Sequence, residues 1–305
     1  MDAIQKNLLK EVANLHAVPE GAYNIRTNGE STSRNTTANI DIVSKEDKPG
    51  IDIYIKPDTK KESVHIPVIL SESGIKETVY NDFHIGENAD VTIVAGCGIH
   101  NGGDEESRHD GIHAFYVGKN ARVRYVEKHY GDGDGNGERV MNPTTLNFLE
   151  EGAEMELDTV QIKGVDSTVR VTEATLAKGA KLVVRDKVMT HGHQTAVAKF
   201  KVEMNGEGAS ANVISRSVAK DESHQDFYSN MIGNAMCYGH TECDAIIMDG
   251  ASVLAAPEII ANHTDASLVH EAAIGKIAGE QLIKLMTLGL TEKEAEEQIV
   301  NGFLK

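Results

Sequence analysis

The amino-acid sequence predicts a mainly β fold, a parallel β-helix with a short N-terminal helix and a C-terminal helical tail. Three observations carry this prediction. A short polar turn with Gly or Asn, followed by Ala and an alternating apolar strand, recurs along the chain, with its alanines at Ala89, Ala121, Ala153, Ala180, Ala209 and Ala251. No continuous helical pattern interrupts the chain between about residues 40 and 270. Aromatic residues make up 5% of the chain while glycine occurs 28 times, which suits many short strands and tight turns.

The recurring motif indicates coils that stack on one another. Its alanines lie 27 to 42 residues apart, a quasi-period typical of repeat architectures. Gly or Asn tolerates left-handed backbone at the turn, and the small Ala lets one coil lie close to the next. Alternation after each Ala points one side chain inward and the next to solvent. A β-sandwich is the structural alternative, because several short strands with regular turns also fit it.

The N-terminal region is predicted to hold one amphipathic helix over residues 3–15, ended by Pro19-Glu20-Gly21. The polar stretch Gly29–Thr37 is interpreted as a turn or exposed loop. Residues 40–43 and 51–55 then alternate apolar and polar residues, as half-buried strands do. We therefore assign residues 1–37 to an N-terminal helix and loop, and residues 38–270 to the β-helix core. The apolar positions of the helix are Ile4, Leu8, Leu9, Val12 and Leu15.

The tail, residues 271–305, changes to a helical period. Gly289 separates two predicted helices, and Thr291-Glu-Lys-Glu294 has the arrangement of a capping box at the start of the second. Two helices of this size either cap the open end of the β-helix or present an apolar face to another protein. Both interpretations remain open at this point. The apolar positions are Ile274, Ile277, Ala278, Leu282, Leu285 and Met286 in the first helix, and Ala295, Ile299, Val300 and Phe303 in the second.

Composition excludes several classes of function. The chain of 305 residues carries a formal charge of −17, which repels phosphate backbones and argues against nucleic-acid binding. No apolar run is long enough to span a membrane, and the first residues lack the pattern of a signal peptide. The three cysteines, Cys97, Cys237 and Cys243, are too few and too dispersed for a disulfide framework. We therefore expect a cytoplasmic protein with free thiols, which by default are small buried hydrophobic residues.

The thirteen histidines offer an alternative site. His100, His109 and His113 fall in a stretch that we interpret as a flexible acidic loop with weak metal binding. His191 and His193 form a close pair. None of them matches a zinc signature, and no nucleophile elbow or phosphate-binding loop is present. A β-helical metalloenzyme or sugar-active enzyme is therefore the competing class, without a nominated catalytic residue.

Cys243, His270 and Glu271 fall where the β-helix would end and its tail begin. Cys243 and His270 are 27 residues apart, close to the repeat spacing, so they could share one face of the solenoid. Thiolate, imidazole and carboxylate together suit iron or an iron–sulfur cluster. A buried structural cysteine with a capping histidine is the competing interpretation. Because three ligands are an incomplete set, a symmetric dimer would supply the remainder.

The residues around this site resemble one known family, the SufB/SufD scaffolds of iron–sulfur cluster assembly. Thr241-Glu-Cys243-Asp-Ala-Ile-Ile, Pro257-Glu-Ile and Leu268-Val-His270-Glu271-Ala-Ala-Ile-Gly-Lys-Ile are similar to the C-terminal core of SufB. The ending Gly289-Leu-Thr-Glu-Lys-Glu-Ala295 with Ile299-Val-Asn-Gly302-Phe is similar too. Gly96-Cys97-Gly98, His113-Ala and the segment from Lys119 to Tyr125 resemble the SufB segment that carries an internal sulfur-accepting cysteine.

The resemblance implies a right-handed parallel β-helix that dimerises and binds a SufC-type ABC ATPase through its C-terminal helices. By position, Cys243 and Glu271 correspond to proposed cluster ligands, and His270 to an interface histidine of the SufD-type partner. Cys97 corresponds to the residue that receives persulfide sulfur from a donor protein before the sulfur moves through the β-helix. ATPase closure would open the dimer interface for a transient cluster. The ATPase-docking residues would be Ile274, Ile277, Leu282, Leu285, Ile299 and Phe303.

Two departures from the family pattern matter. The chain is much shorter than typical SufB, and the Gln, Trp and Lys of the sulfur path have no clear counterparts near Lys128, His129 and Tyr130. Since one chain holds Cys97, Cys243, His270 and Glu271, we expect a compact homodimer, or a dimer with a SufB/SufD paralogue. It would be a scaffold and not an enzyme, with ATP hydrolysis in the partner. A cluster-free, SufD-like partner subunit is a further alternative.

Overall fold

The structure, a computed structural model, describes residues 2–13 and 19–305. Within these ranges the chain forms three helices and twenty strands, most of them about ten residues long. Their bounds are α1 Ala3–Ala13, β1 Ala22–Thr27, β2 Glu30–Asn35, β3 Ile40–Ser44, β4 Gly50–Ile55, β5 Lys60–Leu70, β6 Lys76–Ile85, β7 Asp90–His100, β8 Ser107–Val117, β9 Arg122–Asp132, β10 Arg139–Met141, β11 Thr144–Leu149, β12 Glu154–Lys163, β13 Ser167–Leu176, β14 Lys181–Thr190, β15 Thr195–Met204, β16 Ser210–Ala219, β17 His224–Gly233, β18 Tyr238–Ile247, β19 Ser252–Ala261, β20 Ser267–Gly275, α2 Gly279–Thr287 and α3 Glu292–Phe303.

Successive strands alternate between two sheets, so the chain winds as a parallel β-solenoid. One sheet has the order β2-β1-β5-β7-β9-β12-β14-β16-β18-β20. The other has the order β19-β17-β15-β13-β10-β8-β6-β4-β3, with β11 paired to β8 and β13. Apart from the hairpins β1–β2 and β3–β4, the pairs are parallel and mostly in register. The predicted β-helix is thus confirmed, and the β-sandwich alternative is wrong.

The repeat motif supplies the corners of the solenoid. Ala89, Ala121 and Ala153 are almost completely buried, each just before a strand of the same sheet (β7, β9 and β12). The residues just before them take left-handed backbone, with φ of 58° at Asn88 and 70° at Gly152. Inside, apolar residues at alternate positions form one continuous core, in which the rings of Phe83 and Phe115 stack at 4.4 Å.

The N-terminal helix is confirmed, although predicted position Leu15 lies outside the described residues. The loop predicted over Gly29–Thr37 is wrong. Its residues form β2, an exposed strand paired antiparallel with β1. The missed signal is Asn28-Gly29, whose positive φ values of 49° and 86° make the tight turn that Asn-Gly favours in hairpins.

Helix α1 packs on the outer face of β7. A Cβ on Gly96 would lie 2.9 Å from the carbonyl oxygen of Val12, and one on Gly98 would lie 3.1 Å from Cβ of Leu8. The two glycines on either side of Cys97 therefore allow the helix to approach the strand closely. As a result, α1 covers the solenoid wall at Cys97.

At the C-terminal end, the strands continue beyond residue 270 to Gly275. Ile274, predicted in a helix, pairs with Ala245 in the parallel ladder of β18 and β20, so that prediction is wrong. The capping box of α3 is present, with Thr291 accepting from the Glu294 backbone N–H. No described helix is long and apolar enough to cross a membrane.

The tail lies against the side of the solenoid. Val300 and Leu304 of the α3 region pack against Val218, and Lys187 Nζ donates to the Lys305 carbonyl oxygen at 2.6 Å. Strands β19 and β20, which we call the terminal coil, stay largely exposed. Among the described residues the helices therefore do not cap the open end, and the capping interpretation is wrong.

Candidate functional site

Two rows of inward-facing side chains run along the sheet that contains β7 and β18. Because the parallel strands are in register, residues at equivalent positions stack from one coil to the next. One row contains Arg26, Val68, Cys97, His129 and Gln161. The neighbouring row contains Glu127, Thr159, Asp186, Ser215 and Cys243. Cys97 and Cys243 thus face the same interior, and the residues between them in these rows are polar.

A buried charge cluster occupies the middle of this interior. Arg170 Nη1 donates to Glu127 Oε2 at 2.6 Å, and its Nε lies 3.6 Å from Asp186 Oδ1. Burial opposes ionisation of Glu127, but Arg170, His129 and His113 together outweigh it and hold the pKa of Glu127 well below its ordinary value. For Asp186 burial wins over Arg170, so the pKa of Asp186 is raised. Its Oδ2 has no hydrogen-bond partner among the described residues.

Cys97 lies at one end of this interior and is 2% exposed. It lines a cavity of about 10 Å³, room for one water molecule, together with His109, His113 and Glu127. Burial, followed by the charges of Glu77 and Glu127, raises the pKa of Cys97 well above its ordinary value, so the thiol is protonated at neutral pH.

The loop predicted over residues 100–113 is limited to residues 101–106, which connect β7 and β8, and the prediction is wrong for the three histidines. His109 and His113 belong to β8 and point into the core, and His100 closes β7 with its Nδ1 2.8 Å from Asp132 Oδ1. Burial lowers the pKa of His113 to about 4, so this imidazole is neutral. Its Nδ1 donates to the Tyr125 hydroxyl, which in turn donates to Glu127 Oε1.

Cys243 lies one strand inside the terminal coil and is 1% exposed. Burial, reinforced by Asp244 and Asp186, raises the pKa of Cys243 to about 12. The neighbouring strand β20 places Ala272 beside Cys243, and His270 beside Thr241. Cys243 and His270 therefore share one face but stand two positions apart.

Glu271 points to the opposite face of β20, where its Oε2 lies 3.6 Å from His240 Nε2. His270 is half-buried, and its Nδ1 has no hydrogen-bond partner among the described residues. Burial and the neighbouring His240 lower the pKa of His270, so it presents a neutral imidazole. No group of three or more described His, Cys, Asp or Glu side chains converges in a metal-binding arrangement. The structure thus brings Cys243 and His270 near each other but leaves Glu271 apart.

The terminal coil has an exposed apolar surface. Its side chains have exposed fractions of 45% for Leu254, 44% for Ile259, 38% for Val269 and 39% for Ile274. Both strands are the last of their sheets, so one edge of each has no neighbouring strand among the described residues. Such an edge is a template for pairing with another chain.

The predicted docking residues lie in three places. Ile277 and Phe303 pack against the solenoid beside Val218, and Ile274 lies in the terminal coil. Leu282, Leu285 and Ile299 are half-buried where α2 and α3 meet. The most exposed apolar side chains of the tail are not among the predicted docking residues: Ile283 at 63%, Met286 at 43% and Leu288 at 75%.

His191 and His193 of the competing class line one open cavity of about 600 Å³, but no described group of three or more His, Cys, Asp or Glu side chains there could hold a metal ion. His193 is exposed on a turn with Nδ1 3.3 Å from Glu222 Oε2, and the His191 backbone N–H donates to Gln194. The largest cavity described, about 750 Å³, lies elsewhere, along a stacked column of Tyr54, His84, Tyr116 and Phe148. Among the described residues that line it, Glu150 is the single carboxylate, so it lacks the acid pair of a glycosidase.

The interior charges Glu127, Arg170 and Asp186 were also missed. One signal was present. Arg170 lies between Val169 and Val171, and the alternation of a strand places it on the opposite face from the two valines. The residue that pairs with Arg170 lies 43 positions earlier, and only the register of the coils brings the two together.

Comparison with known proteins gives a consistent result. Residues 74–303 match the family model described as SUF system FeS cluster assembly, SufBD core domain. The iron-sulfur cluster assembly SufBD family protein of Methanocaldococcus jannaschii is 29% identical over 247 residues, covering 80% of this chain and 77% of the relative. That of Methanothermobacter thermautotrophicus strain Delta H is 30% identical over 243 residues, covering 78% of this chain and 57% of the relative. That of Archaeoglobus fulgidus is 29% identical over 265 residues, covering 85% and 69%.

Proposed function

The chain belongs to the SufBD family of iron–sulfur cluster assembly, and we propose that it is a scaffold on which a transient cluster is built at an interface between two chains. In this proposal a second copy, or a SufB/SufD paralogue, joins through the terminal coil. A SufC-type ABC ATPase binds the C-terminal helices and supplies the ATP hydrolysis. The cluster is cargo that the scaffold passes on to recipient proteins.

The observation that carries the proposal is the position of Cys243 one strand inside an open, apolar end of the solenoid. A two-fold axis at that end would bring two copies of Cys243, His270 and Glu271 to one interface. The apolar side chains of the terminal coil would lose water on contact, which supports association. The remaining ligands that one chain lacks would then come from the second chain.

The protonation states of the candidate ligands fit a gated site. A thiol with a pKa of about 12 keeps its proton until iron arrives, and iron binding releases that proton. His270 is already neutral and has Nδ1 available for coordination. Glu271 lies on the other face, so coordination by all three requires the terminal coil to rearrange. Closure of the ATPase dimer would supply the work for that rearrangement.

Cys97 is proposed as the sulfur acceptor. The rows from Cys97 to Cys243 provide polar side chains along the interior, among them Thr159 and Ser215. Asp186 lies between the two, in the row of Cys243, and burial raises its pKa. Sulfur accepted at Cys97 would be passed on toward Cys243 inside the solenoid, away from solvent.

The first experiment tests Cys243 as the cluster ligand. The chain is co-expressed with a SufC-type ATPase, purified anaerobically, and assayed for iron and acid-labile sulfide. Cys243→Ser is expected to abolish cluster retention while leaving the fold intact. Cys237→Ser is the matched control, because Cys237 is also a buried free thiol, 6% exposed, in the same core. Iron and sulfide contents that are the same in both variants would refute the assignment.

The second experiment tests the ATPase surface on α2. Replacing Ile283 and Leu288 together by Asp places two charges on the exposed apolar face, and the ATPase should no longer co-elute with the chain. Gln298→Asp, at an exposed position of α3, is the control and should leave binding unchanged. Deletion of residues 272–305 should also abolish binding. Co-elution of the ATPase with all of these variants would contradict the assignment.

A further inference from the structure

The small cavity beside Cys97 lies between the two sheets of the solenoid. Cys97 reaches it from β7, and His109, Gly111 and His113 reach it from β8 of the opposite sheet. Its volume of about 10 Å³ is room for one water molecule. A single sulfur atom needs a similar space. The cavity can therefore take one atom added to the Cys97 thiol, and no larger group.

Gly111 keeps this cavity open. A Cβ on Gly111 would lie 3.2 Å from Nε2 of His109 and 3.5 Å from Nε2 of His113. Both ring nitrogens therefore border the space that the missing side chain leaves. His109 is 6% exposed, so its Nε2 meets this interior space and not bulk solvent.

His109 has an unpaired nitrogen at the cavity, whereas His113 does not. His109 Nδ1 lies 3.0 Å from Glu77 Oε1, and its Nε2 makes no hydrogen bond with any described residue. In His113 both nitrogens are engaged, Nδ1 with the Tyr125 hydroxyl at 2.7 Å and Nε2 with Asn81 Nδ2 at 3.2 Å. A proton acceptor aimed into the cavity is thus present at His109.

The third histidine of the lining, His129, is also engaged. Its Nδ1 lies 3.4 Å from Gln161 Oε1, and its Nε2 lies 3.6 Å from Glu127 Oε1. Among the described residues that line the cavity, His109 is therefore the imidazole with a nitrogen left for a ligand.

Glu77 sets the tautomer of His109. Burial opposes ionisation of Glu77, but His109 and Arg26 outweigh it and lower the pKa of Glu77. Arg26 Nε donates to Glu77 Oε2 at 2.7 Å, so the other carboxylate oxygen is left to accept from His109 Nδ1. With the ring proton on Nδ1, Nε2 can accept a proton from a group in the cavity.

The thiol form of Cys97 has no need of this acceptor, but a persulfide does. Burial, followed by Glu77 and Glu127, raises the pKa of the Cys97 thiol, so the thiol keeps its proton at neutral pH. A persulfide is a stronger acid than a thiol, because the second sulfur weakens the S–H bond. Its anion would face the same two carboxylates and therefore requires a nearby cation. The charged and titratable groups around the cavity, besides Cys97 and His109, are Arg26, Glu77, His113, Glu127, His129 and Arg170.

We propose that this cavity holds the sulfane sulfur of a Cys97 persulfide as the anion, and that His109, protonated at Nε2, is its counter-ion. The proposal rests on the proposed function of Cys97 as sulfur acceptor. The step is a proton transfer alone: the terminal S–H of Cys97–S–SH gives its proton to His109 Nε2, which leaves Cys97–S–S⁻ beside an imidazolium. The sulfur is thereby kept in the nucleophilic form that onward transfer requires.

The first test fills the cavity. The chain is isolated from cells that contain its assembly system, and the persulfide on Cys97 is quantified by alkylation and mass spectrometry. Gly111→Ala puts a methyl group into the cavity and should reduce this persulfide by at least about tenfold. Gly302→Ala is the matched control, because a Cβ there meets no atom within 4 Å. Circular dichroism confirms that both variants fold.

The second test measures the counter-ion. It uses a chain with Cys237→Ser and Cys243→Ser, so that Cys97 is the single cysteine, and follows the absorption of the persulfide anion against pH. His109→Gln should raise the pKa of the persulfide by about 1–3 pH units, because the imidazolium is lost. His65→Gln is the control, since His65 is also an imidazole of the same sheet but faces away from the interior.

Nitrogen-15 NMR of the imidazoles gives a signature that a merely structural histidine would not show. In the persulfide form both nitrogens of His109 should be protonated at pH 7. After reduction with dithiothreitol to the thiol, Nε2 should be unprotonated.

Three outcomes would overturn the proposal while leaving Cys97 as the sulfur acceptor: an unchanged persulfide content in Gly111→Ala, an unchanged persulfide pKa in His109→Gln, or an unprotonated Nε2 in the persulfide form. The absence of persulfide from wild-type Cys97 would overturn the acceptor function itself, and the pocket with it.

Discussion

Replacement of Arg170 by Met should be among the most destabilising single changes in this chain. The Arg170 and Glu127 side chains are 5% and 4% exposed, and their charged atoms are 2.6 Å apart. Without Arg170, the Glu127 carboxylate stays buried without its closest opposite charge. Removal of one partner from such a pair costs about 3–5 kcal/mol of unfolding free energy. Arg124→Met is the matched control, since Arg124 is 63% exposed and 3.3 Å from Asp158, a pair worth about 0–1 kcal/mol.

The loss of unfolding free energy caused by Arg170→Met should increase as the pH rises. In the wild type the pKa of Glu127 is lowered, so the stability it contributes is complete above its unfolded value of roughly 4.3 and is lost as the pH falls through the folded value. In Arg170→Met the positive charge that opposes the effect of burial is gone. The pKa of Glu127 in the folded state therefore rises. The variant therefore loses stability as the pH rises through that higher value. The difference between wild type and variant should be larger at pH 7 than at pH 5.

Urea unfolding followed by far-UV circular dichroism at the two pH values measures this difference. Adding Glu127→Gln to Arg170→Met removes the uncompensated charge and should recover part of the stability and abolish its pH dependence. The reasoning is refuted if Arg170→Met is no more destabilising than Arg124→Met, or if its cost is the same at both pH values.

Three further predictions concern packing and capping. Thr291→Ala removes the capping box and should destabilise α3 by about 1 kcal/mol, seen as faster amide exchange confined to that helix. Gly96→Ala places a Cβ 2.9 Å from the Val12 carbonyl oxygen of α1 and should loosen that helix; proteolysis of α1 no faster than in the wild type would contradict this. Phe115→Ala removes a fully buried ring and should cost about 3–5 kcal/mol in urea unfolding, and a cost below 1 kcal/mol would mean that the stack is not a core element.

The solenoid could be predicted because its signals are local. The corner at Ala89 and the alternation after it occupy a few consecutive residues, and they recur. Strand β2 escaped prediction because both of its faces are polar, and only Asn28-Gly29 marked the hairpin. Ile274 was misplaced because an edge strand with both faces exposed lacks the alternation that separates a strand from a helix.

The candidate site was only partly predictable because it depends on register. The interval of 27 residues correctly placed Cys243 and His270 on adjacent strands. It did not show that Ala272, and not His270, lies directly beside Cys243, because turns of unequal length shift the pairing. The same register places the Glu271 side chain on the face of β20 opposite to His270. The pairing of Arg170 with Glu127 depends on two sheets meeting across the interior, which no count along the sequence provides.

The two ends of the solenoid differ in a way that limits how large an assembly can grow. At the N-terminal end, the outermost strand β2 is short, polar and antiparallel to its neighbour, features that discourage further strand addition. At the other end, the terminal coil offers apolar side chains and open strand edges. If two copies join through the terminal coil, as proposed, each union covers that coil and the assembly stops at a pair. In that arrangement the polar hairpin of β1 and β2 at the far end would disfavour the addition of further copies by strand pairing.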